Sequence, residues 1–149
     1  MNRMSTEPIL IDASDHILGR VASIVAKQAL GGRKVVVLNA EKAIIAGQRK
    51  KTIRSAMHRL TRGTHGSQER APTHPRRPDT YFRRAIRGML PWKKPRGKAA
   101  FRNVKVFIGI PDEYSGKALQ KLPEADASKL RCRHITVGEL SAAIGGEKR

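Results

Sequence analysis

The sequence predicts a small α/β domain built on a parallel sheet and interrupted by a long basic insertion, and three observations predict it. Residues 9–38 read as strand, amphipathic helix, strand, a crossover that makes the two strands parallel with a right-handed connection. Further apolar runs at 104–108 and 133–137 supply a third and a fourth strand. Between 61 and 78 apolar periodicity disappears into Thr, Gly, His, Ser, Pro and Arg, a loop unusually long for a compact domain. A length of 149 residues fits one domain, residues 1–149, whose basic segment spans about 61–98.

Ile9-Leu10-Ile11 is a short apolar run, the mark of a buried strand, and Asp12, Ser14 and Asp15 behind it are N-cap candidates. From His16 to Leu30, Leu18, Val21, Ala22, Val25 and Ala29 recur at spacings of three and four, which places an apolar stripe on one side of a helix. Gly31-Gly32 stops it. Val35-Val36-Val37-Leu38 is continuous and β-branched, as in a strand covered on both faces. A short apolar piece, Ala43–Gly47, precedes a helix over Gln48–Leu60 whose apolar positions are Ile53, Ala56, Met57 and Leu60. Pro72, Pro75 and Pro78 argue against helix in the loop. A helix resumes over Tyr81–Met89, Lys93–Lys98 forms a basic turn, and Ala99–Asn103 makes one more helical turn. Val104–Ile108 is the third strand, 116–121 a short helix, Arg133–Val137 the fourth strand and Gly138–Ile144 the last helix.

Charge dominates the composition. Lys plus Arg number 31 against 12 Asp plus Glu, a net charge of +19. Residues 48–106 hold eighteen basic side chains and two acids, a net of +16, so the other ninety residues are nearly balanced. A concentrated excess makes a local field, the electrostatic footprint of nucleic-acid binding, because phosphates that neutralise it release their condensed counterions. Arg outnumbers Lys there by twelve to six, which suits bidentate grip on phosphate. The candidate RNA contacts are Arg49, Lys50, Lys51, Arg54, Arg62, His65, Arg70, His74, Arg76, Arg77, Arg83, Arg84, Arg87, Gly88, Lys93, Lys94, Arg96 and Lys98. Arg83 and Arg87, four apart, share a helix face, and Gly88 lets backbone come close. A Gly- and Pro-rich basic loop fits an irregular folded RNA better than a uniform duplex groove. Tyr81, Phe82 and Trp92 are the few aromatic platforms, too few for extensive base reading.

Other chemistries find little support. The first strand-to-helix turn reads Asp12-Ala13-Ser14-Asp15-His16, not the glycine-rich loop of a dinucleotide site, and its two carboxylates would repel a pyrophosphate. Gly116-Lys117 lacks the upstream glycine of a phosphate-binding loop. His58, His65 and His74 have no matched ligands, so no metal and no cofactor is expected. Cys132 and His134 share a strand face, but a buried small cysteine is the ordinary explanation. No small-molecule substrate is expected. No apolar stretch approaches the ~20 residues of a membrane span, the first eight residues show no signal-peptide character, and a single cysteine suits the cytoplasm.

The residues also carry a family resemblance. Arg83-Arg84-Ala85-Ile86-Arg87-Gly88-Met89-Leu90-Pro91, then Gly97-Lys98, then Val104-Lys105-Val106-Phe107-Ile108-Gly109-Ile110-Pro111 closely resemble the signature of the L-thirteen family of large-subunit ribosomal proteins. Asp12-Ala13, Leu18-Gly19-Arg20, Ala22-Ser23, Ala26-Lys27 and Val35 through Glu41 match its beginning, and the later Gly47 fits as well. The resemblance runs from about residue 9 to 117, and His74-Pro75-Arg76-Arg77-Pro78 resembles the archaeal branch. It implies a three-layer α/β domain with a mostly parallel, Rossmann-like sheet of about four strands and no nucleotide site. It also implies binding to large-subunit ribosomal RNA beside neighbouring ribosomal proteins, a role in subunit assembly, and no catalysis. The rivals are an RNA-processing or RNA-modifying enzyme, for which no convergent acid–base set is evident, and a DNA-compacting architectural protein.

Overall fold

A computed structural model describes residues 7–62, 66, 69 and 72–146. Its elements are β1 (Ile9–Asp12), α1 (Leu18–Leu30), β2 (Val35–Leu38), β3 (Ile44–Ala46), α2 (Arg49–Thr61), α3 (Pro78–Gly88), α4 (Pro95–Arg102), β4 (Val104–Val106), β5 (His134–Thr136) and α5 (Val137–Ala143). The three strands β1, β2 and β4 form a parallel sheet with β2 in the centre, Ile9 opposite Val35 and Val35 opposite Val104. All four β2 residues are buried, as a central strand covered on both faces requires.

Side-chain alternation assigns the two faces. Ile11, Val35, Val37 and Val104 point into the main core with Val21, Ala22 and Val25 of α1 and Phe82 and Ile86 of α3. Burying Phe82 and Ile86, both fully enclosed, stabilises the fold by about 1.5–3 kcal/mol each. Leu10, Val36 and Leu38 point the other way, onto Tyr114, Phe107 and Leu119. That second face is therefore covered by irregular chain and a 3₁₀ turn at Asp112–Tyr114, not by helix. The helix expected over 116–121 is absent. Gln120 instead bonds along β1, its N–H to the Leu10 carbonyl at 2.9 Å and its carbonyl accepting from Asp12 N–H at 3.1 Å.

The expected four-stranded sheet divides in two. The 133–137 run does form a strand, β5, but it pairs antiparallel with β3, Ile45 opposite Ile135. Its partner is the short apolar piece 43–47, whose extended conformation the sequence reading left unassigned. Three residues per strand suffice because a separate cluster, Ile135, Leu140 and Ile144, closes over them with Ile53, Ala56 and Leu60 of α2 packed alongside.

Two prolines begin helices. Pro78 and Pro95 sit in the first turns of α3 and α4, where a missing N–H costs nothing and the fixed φ suits the helix. So α3 begins three residues before Tyr81, and Pro95–Lys98 of the expected basic turn belongs to helix α4. None of Asp12, Ser14 and Asp15 caps α1, whose N-cap is Ile17. The buried Asp12 carboxylate instead accepts from Ser14 N–H at 3.0 Å, Ser14 Oγ at 2.8 Å and Asn39 Nδ2 at 2.9 Å, tying the ends of β1 and β2 together. Its burial raises the carboxyl pKa, but these hydrogen bonds and the Lys121 charge outweigh it and hold the group below 3.8.

Candidate nucleic-acid interface

The cations of the basic helices have little to neutralise them. Among the described residues the ion pair present is Arg77–Asp79 at 3.2 Å. Neither α2 nor α4 has an acid in its first turn. Arg49, Lys50 and Lys51 occupy that turn of α2, and Lys94 and Arg96 stand at the start of α4. Cations at the positive end of a helix dipole are unfavourable, by roughly 0.3–1 kcal/mol each by analogy with the opposite arrangement. An anion against these turns reverses the sign.

The α3–α4 corner holds its arginines in place. Arg83 lies over the Phe101 ring at 4.4 Å and Arg87 over the Trp92 ring at 4.5 Å, while the two rings meet edge to face at 5.2 Å. Arg83 and Arg87 thus share a face, as their spacing predicts. Stacking fixes the planes and leaves edge N–H groups for phosphate. The corner depends on Gly97, which packs against Pro91 so closely that a Cβ there would sit 2.5 Å from the Pro91 carbonyl carbon. Gly88 needs no such space: a Cβ there meets nothing within 4 Å, so nothing inside the chain calls for close backbone approach at that position.

Arg84, one residue from Arg83 and so about 100° round the helix, faces a different flank. It lines a cleft of about 390 Å³ between α2 and α3 together with Arg59, half-buried His74 and half-buried Tyr81, over a floor of Leu18, Ala56, Leu60, Ala85 and Ile144. Burial pushes the Tyr81 hydroxyl above its ordinary 10.0, and the Arg59 charge offsets part of this. The phenol is therefore neutral at physiological pH.

The other expected contacts are distributed around these two features. Arg49, Lys50, Lys51 and Arg54 are exposed on α2 and Arg62 caps its end. Lys93, Lys94, Arg96 and Lys98 are exposed around the start of α4. Arg76 and Arg77 are exposed, with the Arg76 carbonyl accepting from Ser141 Oγ at 2.6 Å. His65 and Arg70 lie outside the described residues. The structure adds contributors that were not singled out: Arg59 in the cleft, and Arg133 and His134 of the β5 edge, which join Gln48, Arg49 and Lys50 around a cavity of about 530 Å³. No local spacing could have linked positions this far apart in the chain; only the β3–β5 pairing does. Cys132 is exposed rather than buried, because the strand begins two residues later. Among the described residues no three His, Cys, Asp or Glu side chains gather to hold a metal ion, and no helix is long and apolar enough to cross a membrane.

A family model described as Ribosomal protein L13 matches residues 6–113. The chain belongs to the ribosomal protein L13 family. Its relatives bear this out over nearly the whole length. The large ribosomal subunit protein uL13 of Archaeoglobus fulgidus is 41% identical over 138 residues, covering 91% of this chain and 86% of that one. The uL13 protein of Sulfurisphaera tokodaii is 42% identical over 144 residues, 96% of this chain and 98% of its own. That of Haloarcula marismortui is 40% identical over 140 residues, 94% and 92%. The relatives extend the likeness past the family model into the C-terminal thirty residues that form β5 and α5, and they agree with the archaeal character of the 74–78 stretch.

Proposed function

We propose that this chain is a structural constituent of the large ribosomal subunit, without catalytic activity, that binds and stabilises folded large-subunit ribosomal RNA and supports subunit assembly beside neighbouring ribosomal proteins. The observation that carries the reading is electrostatic: cations crowd the positive ends of α2 and α4 with no acid in either first turn. That arrangement costs stability in the free chain and is repaid by a polyanion. The family membership supplies the word ribosomal, and the named relatives are proteins of that subunit. Neither an RNA-modifying enzyme nor a DNA-compacting protein draws support from either source.

In this reading residues 1–149 act as one domain whose Rossmann-like parallel sheet is scaffold, its strand-end turn closed by the Asp12–Asn39 bond and not by a nucleotide. The stacked Arg83 and Arg87, the exposed lysines at 93, 94 and 98, and the α2 cations hold phosphates of different RNA segments. Arg70 and His65 belong to the same set of proposed RNA contacts on charge and chemistry alone.

Equilibrium binding of the purified chain to transcribed large-subunit ribosomal RNA across a salt series tests this. Affinity falls steeply with salt. Arg84→Glu with Arg87→Glu weakens binding more than Lys117→Glu with Lys121→Glu and lowers the log–log salt slope by about 1.4–1.8, at roughly 0.7–0.9 per phosphate contact. A flat salt curve, or equal losses from the two pairs, overturns the reading.

A further inference from the structure

We infer that the cleft between α2 and α3 receives one unstacked nucleotide of the ribosomal RNA, its base against the Tyr81 ring and its phosphate on Arg59 and Arg84. This rests on the RNA-binding reading above and goes on to name what this one cavity takes.

Size and shape come first. A volume of about 390 Å³ lies at the lower end of the roughly 300–1,000 Å³ range of small-ligand sites, the scale of a single nucleotide. The floor is apolar, with Leu60 of α2 and Ile144 beyond α5 facing Tyr81 of α3. A flat, weakly polar base suits it and a hydrated phosphate does not. RNA-binding proteins commonly take bases that are splayed out of the helix and laid on an aromatic ring.

The rim sets the charge. Arg59, Arg84 and His74 edge the cleft, and among the described residues no carboxylate lines it. A second cavity, of about 370 Å³, shares Ala56, Arg59 and Tyr81 with the first and is lined by Lys51, again with no acid among the described residues. The two form one basic track past Tyr81 in which a phosphodiester on either side of the inserted base would find a cation. A peptide segment fits less well. It brings N–H donors as well as acceptors, and the guanidinium groups of Arg59 and Arg84 at this rim only donate.

The helix supports the same occupant. α2 buries no side chain completely, and Ile53, Ala56 and Leu60 only lean on the Ile135–Leu140–Ile144 cluster. A base in the cleft would add contact area between α2 and α3.

The experiment uses the full chain and transcribed large-subunit ribosomal RNA at one salt concentration, with base-specific dimethyl sulfate probing of the complex. Tyr81→Leu keeps an apolar filler and removes the ring; it lowers affinity about ten-fold, within the range for loss of one base–aromatic stack. Tyr81→Phe stays close to the unaltered chain. Arg59→Gln, at an exposed position, lowers affinity several-fold and decides the matter if Tyr81→Leu melts at a much lower temperature. One base protected by the unaltered chain becomes reactive with Tyr81→Leu. Unchanged affinity and unchanged base reactivity in both Tyr81→Leu and Arg59→Gln overturn the inference. So does a cross-link in intact subunits from Lys51 to a neighbouring ribosomal protein combined with unchanged RNA affinity of these variants, which assigns the cleft to protein. If Arg83→Glu with Arg87→Glu, both outside the cleft, loses binding while the cleft variants do not, the cleft alone is wrong and the RNA-binding surface stands.

Discussion

Replacing Gly97 by Ala separates steric from conformational roles for glycine in the basic corner. Gly97 lies in the first turn of α4, where an alanine would ordinarily gain about 1 kcal/mol of helix propensity. Here the added methyl overlaps the Pro91 carbonyl oxygen and stands 2.5 Å from its carbon, where real Cβ atoms keep beyond 3.0 Å. The obstacle is backbone, so it cannot swing away as a side-chain tip would. The same Pro91 carbonyl accepts the Lys94 N–H at 3.0 Å, so moving it also strains the bond that starts α4. Overpacking against a well-packed site costs about 1–3 kcal/mol and the weakened hydrogen bond about 1. Set against the propensity gain, the net is a loss of about 1–3 kcal/mol. For a chain of this size that lowers Tm by roughly 2–12 °C, measured by circular dichroism on the purified chain. Gly88→Ala is the control, since its Cβ meets nothing within 4 Å; Tm is unchanged or slightly raised. A Gly97→Ala protein as stable as the unaltered chain, or a Gly88→Ala protein destabilised as much, refutes the reasoning.

Further outcomes follow from the packing and the charges. Phe101→Leu removes the ring that supports Arg83 and meets Trp92 edge to face; it costs about 1 kcal/mol beyond lost area, and a double-variant cycle with Arg83→Gln shows a coupling that Arg83→Gln with Tyr114→Leu does not. Asp12 has a folded-state pKa below its ordinary 3.8, so its charged form is favoured by folding. That stability is fully present above about pH 4–5 and is lost as pH falls through the folded value. Asp12→Asn is less stable at neutral pH and shows a shallower acid loss in denaturant titrations from pH 6 to 3; an unchanged acid slope would show that the Asn39 and Ser14 bonds do not favour the carboxylate.

Much of the site was legible because charge needs no folding to be counted. Eighteen cations against two acids in residues 48–106 already demand a polyanion, and the Arg83/Arg87 pair on one helix face follows from spacing alone. Less legible were groups whose meaning depends on a neighbour distant in sequence. Arg133 and His134 look like ordinary strand residues until β5 pairs with β3 and sets them beside Arg49 and Lys50. Gly88 and Gly97 are alike as letters. Only the position of Pro91 makes one indispensable and leaves the other free.

The same division runs through the fold. Local pattern by itself determined β1, α1 and β2, since a 3.6-residue stripe between two apolar runs admits one crossover geometry, and the burial it predicts is realised except at half-buried Ile9 and Leu18. It also determined that the middle of the chain is an electrostatic surface. The partner of a three-residue strand, however, is a choice among edges. Ile44–Ala46 and His134–Thr136 carry too few side chains to specify one by periodicity, so the packing of Ile135 under α5 decided it. Proline likewise excludes only helix interiors. Whether Pro78 and Pro95 end an element or begin one was decided by where α3 and α4 had to lie to bury Phe82, Ile86 and Ala100 against the sheet.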